Sequence, residues 1–280
     1  MDFDSHLFAD RSDRAKLAFT GDQRAWFLHQ ILTQSLEDIA PGEARDAAMI
    51  TVHGRMIGYL EIVATPEALL AHFEPEMRTA LPEEMARYVF ATRVEIADVT
   101  DDHALVLLVG DGWEGPAART GGVLHRTLSF GVNAGYLWLP PRDLDDALAS
   151  LKGEGYEQAS EDELEALRIE RGMARWGRDM GARTLPPEVC LDDIAVHYDK
   201  GCYTGQEAMA KIRFRGKVNR RLRRLEITGT ASAGAEVIHE GTKVGTVTSA
   251  AGTRALAILK HTVEPGTTVT AGDAEAVVVS

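Results

Sequence analysis

After residue 217 the chain changes texture, and that change limits what it can fold into more than any other feature. The segments RRLEITG, AEVIHEGTKVGTVTS, RALAILK and TTVTAGDAEAVVVS alternate apolar and polar residues, with glycines between the runs. Alternation at every second position puts the apolar side chains of a strand on one face. Several short strands of this kind, separated by turn residues, predict a small antiparallel β-barrel with its own core and a boundary near 215–220.

Upstream the pattern comes in blocks. Residues 17–36 carry Trp26, Phe27, Ile31 and Leu32 at helical spacing, with Asp22 placed to cap the start. RDAAMITVHGRMIGYLEIVA (45–64) predicts two strands joined by a turn at His53-Gly54. A helix over 74–88, strands near 89–98 and 103–110, a Gly/Pro-rich loop over 111–122, a strand pair over 123–139 and a helix over 142–152 follow. Ser160 and Glu163 have capping-box spacing before an apolar face at Leu164 and Leu167, and Gly172 stands where a helix ends. Blocks of strands and helices, not strict βαβ alternation, predict an α+β fold.

The formal net charge of −13 argues against bulk nucleic-acid binding. No apolar run is long enough for a membrane span. The acidic N-terminus, broken by charge, is neither a signal nor a transit peptide, and two cysteines make no disulfide framework, so a reducing cytoplasm is expected. Against the acidic background stands a strip free of acids between 211 and 224: Lys211, Arg213, Arg215, Lys217, Arg220, Arg221, Arg223 and Arg224. Such a strip suits a small polyanion, or equally a solvated strand edge.

Two places could carry chemistry. Glu170 sits in the last turn of the 161–171 helix, where the dipole disfavours a carboxylate by about 0.3–1 kcal/mol. Either Arg168 and Arg171 neutralise it, or it accepts hydrogen bonds from a ligand's N–H groups. KGCYTGQE (200–207) sets Cys202 between Gly201 and Gly205, which allow a tight turn exposing the thiol, and Lys200 two residues away would favour the thiolate. Cys190 reads as an inert, partly buried thiol. Cys190, His197 and Cys202 match no zinc spacing, so no metal site is expected.

LRIERG (167–172), LPPEVCLDD (185–193), KGCYTGQE (200–207) and KIRFRG (211–216), with LAFTGDQRAWFLHQILTQSLEDIAPGEA and YVFATRVEI upstream, strongly resemble the YgfZ family. Its members are folate-binding relatives of the glycine cleavage T-protein, linked to iron–sulfur cluster assembly and repair and to tRNA modification. The resemblance implies three domains around a central folate channel: a discontinuous one from 1–50 and 153–212, an inserted one over 51–152, and the C-terminal barrel over 213–280. It implies tetrahydrofolate, or a one-carbon or polyglutamyl derivative, as cofactor, and iron–sulfur client or assembly proteins as partners.

The pterin-holding glutamate matches Glu170. The motif cysteine matches Cys202, expected at the channel, with Lys200, Gly201, Tyr203, Gly205, Gln206 and Glu207 filling the motif. Trp26, Tyr59 and Trp176 are candidates for stacking on the folate, and Arg213 and Arg215 for receiving a polyglutamate tail. One departure is chemical. Where T-proteins carry an aspartate near the reactive nitrogen, HGRMIGYLEI (53–62) has Gly58-Tyr59, and Glu61 is not expected to reach that spot. Loss of a general acid/base partner, an effect of about 10²–10⁴-fold, makes a YgfZ-like accessory role the expectation and folate-dependent aminomethyl transfer the alternative.

Overall fold

The structure is a computed structural model and describes residues 6–216 and 218–279, the side chain of Arg215 excepted. Three β-systems organise it. The first sheet runs β3-β4-β5-β2-β6, from β2 (Ala15–Thr20), β3 (Ala44–Ile50), β4 (Met56–Ala64), β5 (Leu69–Phe73) and β6 (Glu95–Asp98). The second runs β10-β1-β7-β9-β8, from β1 (Leu7–Asp10), β7 (Ala104–Val109), β8 (Val123–Arg126), β9 (Ala134–Leu139) and β10 (Glu157–Gln158). The third is a closed barrel, β11-β14-β13-β12-β15-β16, from β11 (Arg220–Thr228), β12 (Glu236–His239), β13 (Thr242–Ala251), β14 (Arg254–Lys260), β15 (Thr268–Ala271) and β16 (Ala274–Val278). Among the named strands of the described residues only β1 and β10 pair in parallel, so the expected α+β class and antiparallel barrel are what the chain forms.

The strand pairing divides the chain differently from the expected cut at 50/51. That cut falls inside the β3–β4 hairpin, whose strands pair from Ala44–Val63 to Ile50–Met56 around a turn with Gly54 at φ 78°. Both strands are almost wholly apolar, and separating them would expose two faces at once. β1, by contrast, leaves its sequence neighbours and pairs with β7 in the second sheet.

Local chemistry explains most helix ends. α5 (Glu161–Arg171) starts at a formed Ser160/Glu163 capping box and stops at Gly172 in the left-handed region. Two expectations fail. α1 spans only Arg24–Ile31, without a side-chain cap from Asp22, because residues 15–20 are taken by the first sheet. The 111–122 loop contains a short helix, α3 (Glu114–Ala118), held by the burial of Trp113 and Ala117. The remaining helices are α2 (Ala80–Ala86), α4 (Leu144–Gly153), α6 (Asp192–Ala195) and α7 (Gln206–Arg215).

The cores bind the units together. One apolar cluster joins the first sheet and α1 to Val189–Val196, Met209, and Leu222 and Leu256 of the barrel. A second joins Val63 and Leu70 of the first sheet to Leu105, Leu107 and Tyr136 of the second and to Leu164 and Leu167 of α5. Among the described residues no helix is long and apolar enough to cross a membrane.

Candidate functional site

Between the three β-systems lie two cavities that share Ile194. One, of about 560 Å³, is lined by Arg171–Ala174, Val189–Leu191 and Arg221–Arg224. The other, of about 520 Å³, is lined by Gln34, Ala44–Asp46, Arg126, Leu128 and His197. The end of α5 and strand β11 line the first cavity, and the start of β3 and the end of β8 line the second.

Glu170 is half-buried and is not among the residues that line either cavity, though its neighbour Arg171 lines the first. The Glu170 carbonyl accepts from Arg224 Nη1 at 2.7 Å. Arg168 does not neutralise it; that guanidinium turns the other way, to Asp179 at 2.6 Å and to Ser249 of the barrel at 2.9 Å.

The second cavity contains a carboxyl that sequence reasoning missed. Asp46 is buried, accepts a 2.7 Å hydrogen bond from Tyr59 Oη and lies directly across the strand pair from Glu61. Burial first, and the facing Glu61 second, push its pKa up to about 8. Glu61 has more support: Thr127 and Ser129 hydroxyls donate to it and Arg14 Nη2 stands 3.6 Å away. The signal was an acid within an otherwise apolar strand, RDAAMI. Tyr59 and Glu61, two residues apart, share a face because strand side chains alternate, so alternation does not separate them. At Gly58 an added Cβ would sit 2.7 Å from a terminal methyl of Leu81, so a side chain there would have to displace that leucine.

Tyr59 and Trp176 do come together, but in a separate, narrow cleft of about 30 Å³. Its polar groups are engaged with one another: Arg14 and Arg175 with Glu74, Arg175 with Glu161 and Glu165, Arg168 with Glu165. Trp26 is 44% exposed on α1, lining neither cavity.

KGCYTGQE forms a clamp. Lys200 is buried, and its Nζ donates to the carbonyls of His29, Leu32 (2.7 Å) and Gln34 (2.8 Å), closing the end of α1, with Tyr203 beneath it at 4.9 Å. Burial lowers its pKa to about 7. Gln206 Nε2 ties back to the Lys200 carbonyl at 3.2 Å. Gly205 has φ 83°, and a Cβ there would collide with the Thr51 carbonyl. Gly201 is exposed, and Glu207, also exposed, pairs with Lys211 at 2.6 Å. The expected role of Lys200 in activating Cys202 is therefore corrected: its donors are committed to backbone carbonyls. Cys202 is exposed and lines neither cavity, whereas Cys190, expected to be partly buried, is exposed and lines the 560 Å³ cavity. A left-handed backbone at Cys190, φ 61°, ends the 186–189 turn and turns its side chain out.

The basic strip is not one face. Arg213 packs 4.1 Å over the Tyr198 ring, Arg220 pairs with Glu188 and Arg223 reaches Glu264 at 3.4 Å. The Arg215 side chain and Lys217 lie outside the described residues.

Among the described residues, Glu61, His72 and His125 are a cluster with the spacing of a metal site. Their surroundings do not fit a cation. Arg14 Nε donates to His72 Nδ1 at 2.8 Å, so the neutral His72 ring carries its proton on Nε2 and presents it to His125 Nε2, 3.0 Å away, which leaves neither Nε2 lone pair free for a cation. Burial and the adjacent Arg14 charge lower both pKa values, that of His125 to about 3.

Comparison with known proteins agrees with this geometry. The family model described as the CAF17 C-terminal beta-barrel domain matches residues 219–280. The tRNA-modifying protein YgfZ of Klebsiella pneumoniae is 27% identical, covering 79% of this chain and 71% of its own. A chloroplastic protein of Arabidopsis thaliana named as a transferase is 26% identical, covering 95% of this chain and 68% of its own. The crystal structure of glycine cleavage system aminomethyltransferase T from Bartonella henselae superposes with a TM-score of 0.86 at 18% identity, covering 98% of this chain and 85% of that one. That likeness establishes a T-protein fold.

Proposed function

The chain belongs to the YgfZ/CAF17 family, and on that premise we propose that it binds a reduced folate in the channel formed by the two cavities around Ile194 and serves iron–sulfur cluster assembly or repair. The observation that carries the reading is the buried carboxyl of Asp46 in the wall of the 520 Å³ cavity, beside a second cavity that shares Ile194 with it and begins at Arg171, the residue after Glu170. A pterin edge presents N–H donors that carboxylates accept with charge assistance. The bound folate would supply a one-carbon unit; the chain's residues hold the ring, exclude water and offer a proton-bearing carboxyl at Asp46. Iron–sulfur client or assembly proteins would be the partners, and the tRNA-modifying name of the Klebsiella relative fits a downstream effect of such clients. A deletion strain complemented with this chain tests the role: iron–sulfur enzyme activities should recover with the wild type and not with Glu170→Ala.

Asp46 favours a second reading, folate-dependent aminomethyl transfer. With its pKa near 8 it is suited to proton transfer near neutrality, so the acid/base function missing at Gly58-Tyr59 has a substitute on the adjacent strand of the same sheet. Replacing a T-protein with this chain and assaying glycine cleavage separates the readings: activity supports transfer, and its absence alongside restored iron–sulfur enzymes supports the accessory role.

A further inference from the structure

The 560 Å³ cavity is lined by Arg171, Arg221, Arg223 and Arg224 and by no carboxylate, in a chain of net charge −13. Arg221 and Arg223 are two residues apart on β11 and leave the strand on the same side. The Nε of Arg223 is buried without a hydrogen-bond partner among the described residues, and its Nη2 makes one long contact, to Glu264 at 3.4 Å. Cys190, Asp192 and Asp193 act electrostatically on Arg221 and raise its pKa. A buried guanidinium donor left unbonded is costly, and an oxygen from a ligand would satisfy it.

We propose that this cavity is a carboxylate-binding subsite, in which Arg221 and Arg223 take the anionic end of the channel's ligand while Cys190 stands at the rim. A guanidinium fork matches a carboxylate in shape as well as charge. Because the cavity meets its neighbour at Ile194, a ligand whose ring lies toward Asp46 extends its carboxylates toward β11. The identity of that ligand as a folate rests on the function proposed above; the anion site does not.

The two exposed cysteines give an internal control. Alkylation by iodoacetate, an anion, is compared with alkylation by neutral iodoacetamide, and the Cys190-to-Cys202 rate ratio is read by mass spectrometry for each. The thiolate fraction of each cysteine is common to both reagents and cancels. At low salt iodoacetate should raise the ratio by about fivefold or more over iodoacetamide, an excess that high salt screens away. Arg221→Gln with Arg223→Gln should abolish the excess, and Arg223→Gln alone, which keeps the Arg221–Cys190 interaction, should reduce it if the double variant does not fold. Equal ratios for the two reagents at low salt would overturn the subsite. Pentaglutamyl tetrahydrofolate should then shield Cys190 from iodoacetate; an intact iodoacetate excess without shielding would keep the subsite and remove folate as its ligand.

Discussion

Asp46 and Glu61 face each other across adjacent antiparallel strands, both nearly inaccessible to solvent, and only Glu61 has a guanidinium within reach, Arg14 at 3.6 Å. Two like carboxylates in that position cannot both ionise cheaply. Glu61, with two hydroxyl donors and Arg14, is the better place for the charge, and Asp46 keeps the proton.

That division predicts a pH dependence of stability. The pKa of Asp46 is raised from 3.8 to about 8 in the folded chain, so the folded state holds a proton that the unfolded state has lost between those values. Its stabilisation is complete below about pH 4 and is lost as pH rises through 8, by up to about 1.4 kcal/mol per unit. Asp46→Asn, which keeps an acceptor for Tyr59, should gain on the wild type steadily from pH 5 to pH 8 in denaturant melts. Parallel stability curves would show that Asp46 ionises normally.

Lys200 should act on stability and not on thiol chemistry. Lys200→Met removes three hydrogen bonds from the end of α1 and should cost about 3 kcal/mol. The pH dependence of Cys202 alkylation should stay unchanged in the same variant. A Cys202 reactivity that falls with Lys200 would restore the activating role.

Gly205→Ala should be among the most damaging small changes. The residue needs φ 83°, and its Cβ would press on the Thr51 carbonyl, so a loss of more than about 1 kcal/mol is expected. Gly42→Ala, at φ 89° with open space around the position, carries the conformational cost alone and should be milder. Equal melting temperatures for the two variants would show that the contact with Thr51 relaxes freely.

Much of this was legible in the sequence because it is local. The β3–β4 hairpin, the Ser160/Glu163 box, the stop at Gly172 and the barrel's alternation are each set within a few residues, and the structure has them. What depends on distant packing was not legible. The 15–20 stretch reads as the start of a helix, yet pairing with β5 and β6 makes it a strand. Lys200 reads as a neighbour of Cys202, yet the folded chain sends its side chain to carbonyls more than 160 residues upstream. Asp46 and Cys190 look ordinary in sequence, and only the packing of distant segments brings them to the walls of two cavities that share Ile194.

The account rests most directly on folate binding in that channel. Calorimetric titration of the wild type and of Glu170→Ala with tetrahydrofolate measures it. The wild type should bind, and the variant should lose roughly 10- to 150-fold in affinity, the equivalent of a charge-assisted hydrogen-bonded pair. Equal affinity in the two would remove Glu170 from the site, and no heat of binding in the wild type would contradict the folate function itself.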